Sequence, residues 1–240
     1  MATVDEIAPD IFRIATHVGS ADLSFAQFLV RDERPLLYHT GMRQLFPGVR
    51  EAVARLVDPA AIRWIGFSHF EADECGALDE WLATAPGAQA VCSTTCALVN
   101  LSDLTARPVR GLADHETIET GSHRLRFHQT PHLPHGWDAG HLFDETTRTL
   151  LCSDIMHQNG DLPALTHRDV IGAARVAIAA YEGTPLRNYV PYTAQTDRYL
   201  RQLATLEPTA LATMHGSVYA GDGSAALLAF RAMLEEMFAG

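Results

Sequence analysis

The chain has no long hydrophobic run, and this absence limits where the protein is expected to work. No apolar stretch in its 240 residues approaches the length of a membrane span. The first ten residues, MATVDEIAPD, lack the basic and apolar regions of a signal peptide. We therefore expect a cytoplasmic protein with no membrane as partner.

Cysteine is also scarce, which argues against two further classes of protein. The four cysteines are too few and too scattered for a disulfide scaffold, so reduced thiols are expected. Cys92 and Cys96 lie four positions apart instead of in a CxxC pair, so neither a rubredoxin-like iron site nor a redox dithiol is visible. A glycine-rich dinucleotide fingerprint is absent from the sequence as well.

Basic residues are outnumbered by acidic ones, 18 against 29, and the formal net charge is −11. This balance argues against nucleic acid or an anionic membrane as partner, and the acidic surplus is most simply a solvated surface. A hydrophobic share of 47% and a charged share of 20% are ordinary for a globular protein. Because no linker, repeat or low-complexity segment interrupts the chain, we interpret residues 1–240 as one domain.

Strand-like and helical segments follow each other in two similar halves. The predicted strands are 11–15, 26–30, 36–38, 62–67, 88–92, 117–119, 125–127, 141–143, 149–152 and 210–214. The predicted helices are one that starts at 47, one that holds 78–82, one that ends at 98, and three at 170–181, 193–206 and 224–238. Strands followed by helices, twice over, predict an α/β sandwich with helices outside two sheets.

The most informative stretch is FSHFEADECG, residues 67–76, directly after a predicted buried strand. His69, Glu71 and Asp73 occupy every second position, and this spacing on a turn lets three side chains converge on one or two cations. An imidazole with two carboxylates suits a hard-to-borderline first-row metal. The alternative interpretation is a solvated loop with an isolated histidine.

Three further residues follow later predicted strands: His135, Asp154 and His215. With the His69-x-Glu71-x-Asp73 triplet, the arrangement resembles the metallo-β-lactamase superfamily over essentially the whole chain. Glu71 makes it most similar to the flavodiiron branch, the oxygen-binding di-iron proteins, because the hydrolase branch normally has histidine there. The resemblance implies a metallo-β-lactamase-like αββα sandwich, with two mixed sheets and helices outside.

The same resemblance implies how the ligands are shared between two metal ions. His69, Glu71 and His135 would hold one iron. Asp73 and His215 would hold the other, and Asp154 would bridge the two. The family spacing favours His135 as the loop ligand over the neighbouring His132.

Four residues near these ligands have open roles. His132, Trp137 and His157 are candidates for orienting the ligands or gating access, with ordinary packing or a surface loop as the equal alternative. Many relatives have histidine directly after the motif aspartate, where this chain has Glu74. That carboxylate would ligate weakly, accept a hydrogen bond from a bound water, or do neither.

The oxygen-rich ligand set bears on the choice of metal. Three carboxylates against two divalent cations leave one positive charge, which a bridging hydroxide would neutralise, and oxygen anions favour the harder, more oxidised ion. The resemblance therefore implies two iron ions, with zinc or manganese as metals that a preparation could carry, and an oxidoreductase that binds O2 or NO. The alternatives are a binuclear zinc hydrolase of the same fold and a non-catalytic oxygen sensor.

Partners also follow from the resemblance. Flavodiiron reductases carry a flavodoxin domain that these 240 residues lack. We therefore expect an external electron-donor protein, docking near the loop 132–138. Relatives form head-to-tail dimers, so we expect a homodimer.

Overall fold

The computed structural model describes residues 1–105 and 107–238, which form two seven-stranded sheets. The strands of the first sheet, in order across it, are β1 (Thr3–Ala8), β2 (Ile11–Val18), β3 (Leu23–Val30), β4 (Leu36–Tyr38), β5 (Trp64–Gly66), β6 (Gln89–Ser93) and β7 (Val109–Leu112). Those of the second sheet are β8 (Thr117–Glu119), β9 (Arg124–Gln129), β10 (Gly140–Asp144), β11 (Thr149–Ser153), β12 (Leu165–Thr166), β13 (Ala210–Thr213) and β14 (Val218–Ala220). Its order is β12-β14-β13-β11-β10-β9-β8.

Seven helices accompany the sheets in the described residues. They are α1 (Phe46–Ala54), α2 (Ala72–Cys75), α3 (Leu78–Thr84), α4 (Thr94–Val99), α5 (Ile171–Tyr181), α6 (Ala194–Ala204) and α7 (Gly223–Phe238). Short 3₁₀ turns cover Arg43–Leu45 and Pro59–Ala61. Within 1–105 and 107–238, none of the helices has both the length and the hydropathy needed to cross a membrane.

Three apolar layers hold the sandwich together. Phe28 and Phe127 fill the space between the two sheets. Trp81 of α3 packs on the outer face of the first sheet, and Leu203 of α6 and Phe230 of α7 pack on the outer face of the second. Burying each large apolar side chain contributes about 1.5–3 kcal/mol. The layers account for why the helices lie outside.

This architecture confirms the predicted α/β sandwich of two mixed sheets. The first sheet is antiparallel from β1 to β4 and parallel from β4 to β7. In the second sheet, β11 and β13 are parallel while β9, β10 and β11 are antiparallel. The sequence pattern missed β1, β7, β12 and β14. These strands lie at or next to sheet edges, where no buried apolar run forms.

Thr40 fastens the helix α2, which carries part of the motif, to the end of β4. Its backbone N–H and its hydroxyl both donate to the Glu74 carbonyl, at 2.7 and 3.2 Å. The hydroxyl also accepts from the Ala77 N–H at 3.2 Å, and the Trp81 indole donates to the Thr40 carbonyl at 3.1 Å. Because Thr40 is fully buried, water cannot replace these bonds.

Replacing Thr40 by valine should lower the free energy of unfolding by about 1–2 kcal/mol, since the hydroxyl's buried hydrogen bonds are lost without a change of shape. Thr84→Val is the matched control, because its hydroxyl bonds only the preceding turn of α3 and is partly exposed. Urea unfolding of the metal-free variants measures the difference. Equal stability of the two variants would contradict the anchoring role of Thr40.

Candidate metal centre

His69 lies three residues after the end of β5, where the chain leaves the first sheet. Its ring is 1% exposed, and its Nδ1 lies 3.0 Å from Ser68 Oγ and 3.3 Å from Ser153 Oγ. His39 Nε2 contacts the same Ser68 hydroxyl at 3.1 Å. The Gly140 N–H donates to the Ser68 carbonyl, so this turn is joined to β10 of the second sheet. These contacts hold His69 with Nε2 directed away from them.

The carboxylates of the motif come from α2 and the residue before it. Glu71 precedes the helix in extended conformation, and Asp73 and Glu74 occupy its first turn. Gly76 follows the helix directly, and a Cβ at that position would lie 2.2 Å from the Ala72 carbonyl oxygen. This tight turn gives Gly76 a steric reason to be glycine.

His135 is presented by the loop between β9 and β10. Its Nδ1–H donates to the Tyr189 carbonyl at 2.9 Å. Asp138 ties the same loop to the motif, because its Oδ2 accepts from the Phe70 N–H at 3.0 Å and from the Asn100 side chain at 3.3 Å. The loop is therefore fixed against the motif turn from two sides.

Asp154 and His215 follow neighbouring parallel strands, β11 and β13. Ser153, the last residue of β11, adopts a left-handed backbone with φ 54°, and its carbonyl accepts from the Met214 N–H and the Thr213 hydroxyl. The His215 Nδ1–H donates to the Ser24 carbonyl at 2.9 Å. Both side chains are almost wholly buried.

The six residues meet in two adjacent groups that share Asp154. In one group, His69 Nε2 is 3.0 Å from His135 Nε2, and His135 Nε2 is 2.9 Å from Glu71 Oε1. Asp154 Oδ2 lies 3.5 and 3.6 Å from these two histidine nitrogens. In the other group, His215 Nε2 is 3.3 Å from Asp73 Oδ2 and 3.2 Å from Asp154 Oδ1. Asp154 thus offers one oxygen to each group.

The three imidazole rings of His69, His135 and His215 are oriented in the same way. Each Nδ1 is engaged by a hydroxyl or a backbone carbonyl, and each Nε2 faces the carboxylates. An Nδ1–H held by an oxygen leaves the lone pair on Nε2, which is the arrangement of metal-ligating histidines. The arrangement therefore suits binding of one or two cations.

The closely spaced histidines and carboxylates shift one another's pKa values in the metal-free protein. Burial alone would lower the pKa of His215, but the carboxylates of Asp154 and Asp73 raise it to about 10. Burial is likewise outweighed at His135, where Glu71 and Asp154 raise the pKa to about 9. His69 is the exception, since burial lowers its pKa below the usual value. The carboxyl of Asp154, although buried, has a lowered pKa because His215 and the other histidines face it.

Glu74, unlike Asp154, is not paired with a protonated histidine among the described residues. It is 0% exposed, and neither carboxyl oxygen has a hydrogen-bond partner among the described residues. Oε1 lies 3.8 Å from His69 Nε2, on the inner side of the site. Burial, followed by the charges of Asp154 and Asp73, raises the pKa of Glu74 well above its usual range.

Buried carboxyl oxygens without a hydrogen-bond partner indicate whether the residues fit a metal centre. Within residues 1–105 and 107–238, Asp154 Oδ1 also has no partner with hydrogen-bond geometry, although His215 Nε2 is 3.2 Å away. A buried charge without a partner costs several kcal/mol, and a cation supplies the missing partner. Nitrogen lone pairs and orphaned carboxyl oxygens therefore fit two hard-to-borderline cations.

The structure places the other candidate residues outside this cluster. His132 and Trp137 are exposed on the loop, and within the described residues the His132 side chain has no hydrogen bond or ion pair with the cluster. His157 is buried behind His215, with ring centroids 4.7 Å apart. Its nitrogens contact the Tyr189 hydroxyl at 2.9 Å and Asn159 Oδ1 at 2.7 Å.

Sequence reasoning missed several residues that orient the ligands. The carbonyls of Ser24 and Tyr189 each hold a histidine ring, yet any residue could supply a carbonyl, so no sequence signal marks them. Ser68 and Ser153 were recoverable, because each stands directly before a predicted ligand at a strand end. Their hydroxyls lie 2.7 Å apart.

Comparison with known proteins identifies the family. Residues 23–216, which include all six predicted ligands, match the family model of the ODP family beta lactamases. The fold described above is thus the metallo-β-lactamase-like sandwich. The chain belongs to the ODP family beta lactamases, which confirms the resemblance stated from the sequence.

Solved structures with this fold include flavodiiron proteins. Rubredoxin oxygen:oxidoreductase from Desulfovibrio gigas has a TM-score of 0.84 and 19% identity, over 97% of this chain and 62% of that one. The flavodiiron protein from Giardia intestinalis has a TM-score of 0.81 and 17% identity, over 98% and 60%. A Thermosynechococcus vestitus protein named as a diflavin flavoprotein (A 1) is 30% identical over 135 residues, 55% of this chain and 23% of its own length. The chain thus spans about a quarter of that relative and about three fifths of the two solved structures.

Metal binding at neutral pH should release about two protons per chain from the two histidines His215 and His135. The folded-state pKa values of about 10 for His215 and about 9 for His135 lie above 7, so both rings are protonated in the metal-free protein. A metal takes the neutral imidazole, so both protons leave on binding, and the affinity should rise with pH until those values are passed. Anaerobic titration of metal-free protein with Fe²⁺ or Zn²⁺ beside a pH indicator counts the protons.

His167→Ala is the matched control, because His167 is an exposed histidine outside the cluster and should release the same number. Metal binding without proton release would contradict the assignment of His135 and His215 as protonated ligands.

Proposed function

We propose that this chain is a di-iron protein that binds O2 or NO and reduces it with electrons from an external donor. The observation that carries the proposal is the two-part donor set in which Asp154 presents one oxygen to each group. The proposal takes additional support from the family and from the fold shared with flavodiiron proteins.

Each iron would have its own ligands in this proposal. His69, Glu71 and His135 would hold one ion, Asp73 and His215 the other, and Asp154 would bridge. When bound, two irons would supply one electron each and act as Lewis acids toward a small diatomic. The protein's own contribution is to hold every Nε2 in place through its Nδ1 partner, which lowers the reorganisation needed at the site.

Glu74 adds a further oxygen donor in this proposal. Its carboxyl group is buried beside His69 and has no hydrogen-bond partner in the part of the chain that the structure describes, so a metal in the site would supply one. With Glu74 included, four carboxylates face two divalent cations, and the site is neutral without a hydroxide. In the proton-release titration, Glu74→Gln should then release one proton fewer than the wild-type chain.

A cavity borders Glu71, and we propose it as the approach for a small uncharged ligand. Its volume is about 270 Å³, and its lining includes Phe70, Leu78, Leu101 and Leu104. The Glu71 side chain is 46% exposed, whereas His69 and Asp154 are buried. The apolar part of the lining admits O2 or NO without a desolvation penalty, while Arg43 and Asp79 also face the cavity.

Changing Glu71 to histidine should shift metal preference from iron toward zinc and weaken O2 binding by the reduced centre. The change removes one negative charge and one hard oxygen donor from the first group. Competition between Fe²⁺ and Zn²⁺, measured as metal content after anaerobic dialysis, tests the shift. Glu71→Gln is the control that removes the charge while keeping an oxygen donor. Unchanged selectivity in Glu71→His would count against the di-iron proposal.

Chemically reduced protein should react once with O2 and then stop. Reduction of O2 to water takes four electrons, and two irons store only two. The 240 residues contain no dinucleotide fingerprint or clustered cysteines through which NAD(P)H could recharge them. Stopped-flow absorption and an oxygen electrode measure the single reaction, and NAD(P)H alone should not restart it.

Two other outcomes would redirect the assignment. Steady O2 consumption with NAD(P)H and no added protein would refute the need for an external donor. Absence of any reaction with O2 or NO would favour the binuclear zinc hydrolase.

For the electron donor, we propose docking at the loop 132–138, where Trp137 is 54% exposed. We also propose a homodimer as the working assembly.

A further inference from the structure

A second group of ligand-type side chains lies outside the six-residue cluster. Asp114 and His115 belong to the turn between β7 and β8, and His128 belongs to β9. One ligand atom from each lies within 4.8 Å of the other two. None of these residues has a role in the proposed di-iron site.

His128 is the buried member of this group. It is 2% exposed, and neither ring nitrogen has a hydrogen-bond partner among the described residues. An orphaned buried polar group costs about 1–3 kcal/mol. Burial also lowers the pKa of His128 to about 4, so the ring is neutral and keeps a free lone pair at physiological pH. The His115 ring lies edge-on to it, with centroids 5.2 Å apart.

The turn that carries Asp114 and His115 is fastened to the strand that carries His128. The Gln129 N–H donates to Asp114 Oδ1 at 2.9 Å, which leaves Oδ2 free at 3.4 Å from His115 Nε2. The His115 N–H donates to the Phe127 carbonyl at 2.8 Å, and the Arg126 guanidinium donates to the His115 carbonyl at 2.9 Å. The three side chains are therefore presented from one rigid unit.

Solvent access and charge both favour a cation here. The side chains of His115 and Asp114 are 53% and 43% exposed, so an ion can enter from water. The Arg126 guanidinium, which bonds the His115 carbonyl, is paired with Glu145 at 2.6 Å, and this pairing reduces its repulsion of an incoming cation. The single carboxylate of Asp114 supplies the compensating negative charge.

We propose that Asp114, His115 and His128 form a second metal site, for a borderline divalent cation of the Zn²⁺ class. Two imidazoles and one carboxylate are three of the four donors of a tetrahedral zinc site, and solvent supplies the fourth. Thiolate is absent from the group, and the two nitrogens set it apart from the carboxylate-rich di-iron site. This proposal stands independently of the proposed function.

Zinc counting on the full chain tests the site. After dialysis against buffered free Zn²⁺ and elemental analysis, the wild-type chain should hold one zinc more than His115→Ala or Asp114→Asn. At limiting zinc, either substitution should weaken zinc binding at this site by at least about 100-fold. Removing a ligand costs more affinity than removing a residue that only hydrogen-bonds a ligand. His167→Ala, which removes an exposed histidine elsewhere, should retain the wild-type count.

Both substituted residues are exposed, so the fold should survive, and circular dichroism checks this. Histidine NMR gives a second readout: zinc should shift the ring signals of His115 and His128 together, and the His115→Ala substitution should abolish the shift of His128. Equal zinc counts in the wild-type chain, His115→Ala and Asp114→Asn would overturn the site. If the proposed di-iron site bound no metal, the zinc count of the wild-type chain and of every variant would fall by the same amount.

Discussion

The buried carboxylate of Asp154 is the constraint on which the rest of the site depends. It is 2% exposed and lies between three histidine nitrogens, at 3.5, 3.6 and 3.2 Å. A buried charge persists only where opposite charge compensates it, because its desolvation costs several kcal/mol. In the metal-free protein the compensation is imidazolium, chiefly from His215 and His135. In the proposed holoprotein it is metal, and the same side chains serve both states.

This constraint explains why the site lies where the two sheets meet. His69 follows a strand of the first sheet, whereas Asp154 and His215 follow neighbouring parallel strands of the second. The hydroxyls of Ser68 and Ser153, 2.7 Å apart, join the two strand ends directly. The donor set is therefore complete only after the sheets have packed on their shared apolar layer.

The two proposed metal sites differ in depth and in donor chemistry. The first is deep and rich in carboxylates, with Glu74 as an extra buried oxygen donor. The second lies at an exposed turn and has two imidazoles against one carboxylate. Because affinity for divalent first-row metals follows ligand type and geometry, such a pair of sites can select different ions within one chain. The difference in metal preference follows from the residue types that supply the ligands.

The sequence by itself determined the fold class and the set of residues proposed as ligands. Buried strands are visible as apolar runs, and a residue within three positions of a strand end has a predictable place, as at His69, Asp154 and His215. The edge strands β1 and β12 escaped prediction, since partial exposure removes the apolar run that marks a central strand. Local pattern is sufficient wherever a residue's neighbours along the chain fix its place.

Only the tertiary structure decided how each ligand is oriented and which carboxyl lacks a partner. The Ser24 carbonyl that holds His215 is 191 residues away along the chain, and any residue type would supply it equally well. The isolation of Glu74 and the meeting of His128 with His115 depend likewise on long-range packing. Such contacts leave no periodic trace in the sequence, because backbone carbonyls and absent partners carry no residue signature.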